Sequence, residues 1–259
     1  MQKARLRAVS HEERIPLVDH LDELRWRIIV SVGTLVGAAG VGFWQDERLL
    51  EFANRPLPDG RVPTTFGVGE PFLTTLTVAV YAGLLVALPV IAWQAYAYVV
   101  PAFTPREKRV AAPLLAMVPF LFFAGASFAY FVLAPTAIEF LLDFNADEFD
   151  VQVRARDYYG FLGMALVGTG LLFQIPVVIL GVTRIGIVSP AQLAENRRYA
   201  ILAVAVVAML LPGQDPITMI MAMVPLILLY EFSILLARWL GRERPAEEEE
   251  PQEPEEPAR

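Results

Sequence analysis

The chain has 259 residues, 56% of them hydrophobic, and a mean hydropathy of +0.49, above the roughly 45–50% apolar content of a soluble domain. It contains no cysteine, which excludes disulfides, thiol nucleophiles and iron–sulfur ligation, and its only two histidines, His11 and His20, leave none for a metal site or catalytic triad inside a membrane. The net charge of −7 is mostly local, because residues 246–259 hold seven glutamates and one arginine.

These features indicate an integral membrane protein. Every spanning segment must satisfy its own backbone polar groups, so helices are expected, and the lack of regular ten-residue alternation argues against an outer-membrane barrel. The first 15 residues are polar and basic without an apolar core, so no cleavable signal peptide is expected.

The first predicted element opens at His20-Leu21-Asp22-Glu23-Leu24-Arg25-Trp26-Arg27 and runs into an apolar segment from Ile28 to Trp44. Leu17, Leu21, Leu24 and Ile28 recur at spacings of four, three and four, one apolar stripe of a helix, while Asp19, Glu23 and Arg27 line another face. This reads as an amphipathic helix at a membrane surface, continuous with a span. As a charged anchor for that span, the segment needs only its arginines.

Apolar runs predict six spans, at about residues 27–44, 72–99, 109–133, 158–183, 199–211 and 217–238. The outer loops, about 45–71 and 134–157, are too long for simple connections and are expected to form an ordered cap or short helices. Pro89, Pro113, Pro119, Pro176 and Pro225 interrupt spans, and each removes a helical hydrogen bond. Bends in several neighbouring helices would favour a curved wall.

In the second loop, Thr104 with Glu107 three residues on and Pro105 between them form a capping box that opens the third helix. Glu107 is also the acidic residue of a basic loop, on the same face as Glu23. Two carboxylates among arginines make a receptor for paired cations, and guanidinium, with its planar fork, suits it better than ammonium. Capping alone would equally account for Glu107.

The fifth apolar run is short. Its helix is expected to start early, at the capping box Ser189-Pro190-Ala191-Gln192, and to end at Pro212-Gly213-Gln214-Asp215-Pro216, with local membrane thinning. Gln174 and Glu231 interrupt apolar helix interiors, where a carboxyl marks a functional or interhelical position. Gln174 would serve backbone groups freed by Pro176, and Asp215 would act as a turn residue before Pro216.

Sixteen of the 21 Lys and Arg residues fall before the first span, in the second and fourth loops and after the last span. This bias places both termini in the cytoplasm. The expected fold class is therefore all-α, a polytopic membrane protein with a membrane domain over residues 1–240 and a disordered acidic tail over 241–259. No Gly-x-Ser-x-Gly, His-Glu-x-x-His or phosphate loop is present, so neither an enzyme nor a cofactor site is expected.

Between about Pro16 and Leu240 the chain resembles the TatC family. The resemblance rests on His20-Leu21-x-Glu23-Leu24-Arg25, Pro71-Phe72, Pro101-Ala102-Phe103 followed by Glu107-Lys108-Arg109, and Phe128-Ala129-Tyr130-Phe131 with Pro135 closing the third span. Ile187-Val188-Ser189-Pro190 and Met209-Leu210-Leu211 leading to Asp215 complete it. The resemblance implies a cupped six-helix receptor of the cell membrane, binding twin-arginine signal peptides of folded cargo through Glu23 and Glu107, with His20, Arg25 and Tyr98 in the same site. It further implies docking of single-span TatA and TatB partners at Met209, Pro212, Asp215 and Met219, a multimeric complex, and transport driven by the proton-motive force. No nucleic acid is expected as a partner.

Two departures stand out. The chain has Gln174 where many relatives carry glutamate, and Pro212-Gly213-Gln214-Asp215 where Thr-Pro-Pro-Asp is usual, so polar partner contacts would shift to Gln214 or Thr218. The competing reading from another class is a proton-coupled small-molecule carrier using Glu231. It predicts a midplane cavity with converging polar groups and two related halves, and no internal repeat is visible.

Overall fold

The computed structural model describes residues 17–99, 105–149, 151–213 and 215–240. The tail assigned to 241–259 and the residues before 17 lie outside the described residues. Among the described residues ten α-helices follow one another: α1 Leu17–Trp44, α2 Asp46–Asn54, α3 Glu70–Val99, α4 Pro105–Phe128, α5 Ala134–Asp143, α6 Ala155–Leu172, α7 Ile175–Ile185, α8 Pro190–Glu195, α9 Arg197–Ala208 and α10 Pro216–Leu240.

Among the described residues, five stretches are long and apolar enough to cross a membrane: His20–Trp44, Glu70–Val99, Pro113–Asp143, Ala155–Arg184 and Pro216–Trp239. The sixth expected span is α9, with 12 residues, about 18 Å of helix against a hydrocarbon core of about 30 Å. The capping box at Ser189 is present, with reciprocal hydrogen bonds between Ser189 and Gln192. The helix it starts does not run straight into α9, however. It breaks at Asn196, whose side-chain Nδ2 donates to the Gln192 carbonyl at 2.8 Å.

The third span also differs from expectation. It does not close at Pro135 but continues through a π turn, Ala129–Leu133, into α5 and ends at Asp143. Proline has no N–H to donate, and the wider π register absorbs this, because Ala134 donates instead to the Ala129 carbonyl five residues back. The outer connection 134–157 shortens accordingly. Its remainder meets the other outer loop at Thr64, whose N–H and carbonyl bond Val153 and Ala155, each at 2.8 Å.

The outer cap is held by hydroxyls from the spans. Tyr130 and Tyr158 donate to the carbonyls of Phe52 (2.6 Å) and Ala53 (2.5 Å), and Tyr159 donates to the Asn54 side chain (2.8 Å). Phe52 and Ala53 lie in the last turn of α2, where carbonyls run short of helical donors, and Phe52 accepts the Arg55 N–H as well, at 3.3 Å. The same tyrosines pack with Ala53, Leu57, Val78, Ile138 and Leu162 in one buried cluster. A second chain of apolar contacts runs down α10, through Leu211 and Ala222, then Phe173 and Leu226, then Ile179 and Ile234.

α1 packs antiparallel along α3, with His20 against Tyr98 at one end and Phe43 against Phe72 at the other. Between them the backbones come close at Gly83, where an added Cβ would lie 2.7 Å from the Ala39 nitrogen. Gly83→Ala should therefore push α1 off α3, with a destabilisation of about 1–3 kcal/mol, read as a lower thermal midpoint of the solubilised protein. Gly37→Ala, whose Cβ would have no neighbour within 4 Å, should leave the midpoint unchanged or slightly raised.

Candidate functional site

The antiparallel pairing of α1 and α3 brings the N-terminal turns of one beside the C-terminal turns of the other. There Glu23 accepts from Arg27 on its own helix, from Nε at 3.1 Å and from Nη2 in a closer contact, both on Oε1. Arg27 Nη1 reaches across to Gln94 Oε1 of α3 at 3.3 Å. The His20 ring stacks on Tyr98, centroids 4.3 Å apart and planes within 11°, and its Nδ1 lies 3.9 Å from Glu23 Oε2. Glu23 and Arg27 are both only partly exposed, whereas Arg25 points to the exterior and makes no ion pair among the described residues.

His20, Glu23 and Tyr98 thus belong to one cluster, and Arg25 stands at its edge. Arg27 and Gln94 are members that the sequence reading did not single out. The i, i+4 spacing of Glu23 and Arg27 was visible in the sequence. Gln94, 67 positions away, becomes a partner only through the register of the two helices. α4 starts at Pro105, as a proline at the first helical position implies. Thr104 and the side chain of Glu107 lie outside the described residues.

A second candidate site lies where α9 meets α10. Ala208, Met209, Leu211, Pro212, Asp215, Pro216, Thr218 and Met219 line a groove of 380 Å³. Met209, Pro212, Asp215 and Met219 therefore share one concavity. Asp215 is buried and caps α10: Oδ1 accepts from the Thr218 N–H at 2.7 Å and Oδ2 from the Thr218 hydroxyl. Both its oxygens are engaged locally, so it shapes the groove without offering a free charge. The Thr218 hydroxyl donates its proton to the same cap, which leaves it acceptor capacity alone for any further contact. Gln214 lies outside the described residues. Gly213 adopts φ 120°, a backbone conformation closed to proline, which fixes φ near −65°. At position 213, therefore, this turn is closed to the first proline of Thr-Pro-Pro-Asp.

Gln174 sits at the break between α6 and α7. Its own N–H bonds Leu171 rather than Gly170, and its side-chain Nε2 serves the Gly170 carbonyl at 3.2 Å and Val118 of α4 at 3.3 Å. It supplies a donor to backbone exposed by the break. Glu231 is not a solitary carboxyl among apolar side chains. It pairs bidentately with Arg197 at the start of α9, Nε to Oε1 at 2.7 Å and Nη2 to Oε2 at 2.9 Å, with both side chains nearly half exposed.

A cavity of 560 Å³ lies at the opposite end of α3 from His20. On its rim Glu70 accepts from Arg154 Nε at 2.7 Å and from the Phe66 and Gly67 N–H groups at 2.9 and 3.1 Å. The Glu70 hydrogen bond raises the Arg154 guanidinium above its ordinary pKa. Glu70 carried no signal in the sequence, because its partner comes from a loop 84 positions later.

Residues 19–225 match the family model described as Sec-independent protein translocase protein (TatC). The chain is 35% identical to the Sec-independent protein translocase protein TatC of Desulforapulum autotrophicum, over 92% of this chain and 90% of that protein. It is also 35% identical to the chloroplastic TATC of Arabidopsis thaliana, over 89% of this chain and 68% of that one. Among solved structures, a crystal structure of the twin arginine translocase receptor TatC in DDM superposes with a TM-score of 0.73 at 32% identity, covering 84% of this chain and 99% of that chain.

The Arg197–Glu231 pair ties α9 to α10, the two walls of the groove. In a double-mutant cycle, Arg197→Glu and Glu231→Arg should each lower the thermal midpoint and together restore it, with a coupling of about 0.5 kcal/mol for so exposed a pair.

Proposed function

The chain belongs to the TatC family of Sec-independent protein translocase proteins, and on that premise we propose that it is the receptor subunit of a twin-arginine translocase. The end of the α1–α3 pair binds the arginine pair of signal peptides on folded cargo, through Glu23 and Glu107. Single-span TatA and TatB-type proteins dock along the groove between α9 and α10, where Met209 is exposed and Met219 lines the wall. The protein spans the cytoplasmic membrane with both termini inside, α9 forming a sixth, short crossing, and works in a multimeric complex energised by the proton-motive force. The family is a membrane translocase component and not a catalytic one.

One observation carries the peptide-binding reading: the Glu23 carboxylate already holds a guanidinium, that of Arg27, by two nitrogens. Both nitrogens fall on Oε1, which leaves Oε2 for a further contact, and a planar guanidinium exploits such a carboxylate better than an ammonium does. The carrier reading finds less support. Glu231, its proposed proton site, is paired with Arg197 and does not line the 560 Å³ cavity.

Glu23→Ala and Glu107→Ala should each abolish crosslinking of a twin-arginine signal peptide while leaving membrane insertion intact. Unchanged crosslinking in both variants would refute the assignment. Glu107→Gln keeps the capping geometry and loses the charge, so retained crosslinking in that variant would make Glu107 a capping residue alone.

A further inference from the structure

We infer that Arg27 is a built-in competitor for the signal-peptide site: its guanidinium occupies the Glu23 carboxylate in the unliganded receptor, and a cargo arginine binds by exchange with it. This deepens the twin-arginine reading of Glu23 and rests on it.

Three contacts hold Arg27 in place. Nε and Nη2 bond Glu23 Oε1, and Nη1 bonds Gln94 Oε1 on the neighbouring helix. Glutamate four residues before a cation on one helix is the favourable order for such a pair. Gln94 then fixes the fork from outside the helix, so the arginine is clamped between α1 and α3 rather than free to sweep through solvent. Its side chain is 20% exposed, against 32% for Glu23.

The consequence for Glu23 follows from its two oxygens. Oε1 is filled by Arg27, and Oε2 faces His20 Nδ1 at 3.9 Å, beyond hydrogen-bond reach. An incoming guanidinium cannot grip both oxygens until Arg27 leaves Oε1. Once displaced, Arg27 still has Gln94 as a partner for Nη1, so exchange does not strand a buried cation. Charge attraction alone then gains a ligand little, because one guanidinium replaces another. Only a ligand that adds further contacts, such as a second arginine or an apolar segment, gains net affinity.

A competitor of this kind has a kinetic signature. Ligand binds only to the fraction of receptor in which Glu23 is released, so the apparent association rate falls by that fraction, while the dissociation rate of the bound peptide is untouched. A purely structural role for Arg27 would not slow association in this way.

The test uses the full chain in lipid nanodiscs and a fluorescent peptide carrying two consecutive arginines ahead of an apolar segment. Arg27→Gln should speed association about two- to fivefold, the range for a partly exposed ion pair, with dissociation unchanged. Gln94→Leu, which loosens the clamp without altering any charge, should speed it in the same direction by a smaller factor. Faster association in Arg27→Gln but not in Gln94→Leu would reduce the effect to removal of one positive charge and overturn the inference. Unchanged or slower association in both would overturn it as well. Glu23→Ala separates this from the underlying reading. If it abolishes binding while the other two variants match wild type, the receptor site stands and the competitor falls. If it leaves binding intact, the twin-arginine assignment of Glu23 falls first.

Discussion

A backbone that crosses lipid has no water to bond, so every interruption of a helix must be repaired by the protein itself. The structure is organised around such repairs. Where α6 stops before Pro176, Gln174 donates to the stranded Gly170 carbonyl and on to α4. Where Pro135 would end the third span, a π turn shifts the register and the helix continues to Asp143. Where α2 ends, tyrosines from α6 and the π turn bond its last carbonyls, and where α10 begins, Asp215 caps it. Each repair also ties one element to another, or fixes a turn, so satisfying the backbone and fixing the tertiary arrangement are largely one event.

The acidic groups obey a related constraint. Glu23, Glu70 and Glu231 each meet an arginine, and Asp215 meets a helix N-terminus. An unpaired carboxylate at membrane depth is costly, so pairing or capping is what allows these residues to exist in an apolar chain. On the proposed reading, the pairings also separate structural from functional roles. Glu70 is buried, with a salt bridge and two backbone donors, and it ties the outer loops together. Glu23 has one oxygen engaged and lies partly exposed at the end of a helix pair, which leaves it open to exchange.

The proposed peptide site and the proposed docking groove share no helix. The first belongs to α1, α3 and, through Glu107, the start of α4, the second to α9 and α10, and between them the rest of α4 packs against the α6–α7 break through Phe122, Phe128 and Phe173. On the proposed reading, cargo recognition and partner assembly are built on separate helices, the first pair joined by Arg27 and Gln94 and the second by Arg197 and Glu231.

Much of this was legible in the sequence, for a local reason. Hydropathy located the long helices because apolar length is an additive property of neighbouring residues, and the amphipathic repeat from Leu17 to Ile28 correctly joined the surface segment to the first span. The capping box at Ser189 and the proline start of α4 were also readable, since capping is settled within four residues. The motifs around Glu23 and Met209 were enough to indicate the family. Tertiary structure alone decided which partner each polar residue took. Gln94 reaches Arg27 through helix register, Arg154 reaches Glu70 through a loop contact, and Arg197 turns Glu231 from an apparently buried carboxyl into half of an ion pair. Such contacts join residues from 34 to 84 positions apart, and they depend on how helices cross, which no local pattern encodes.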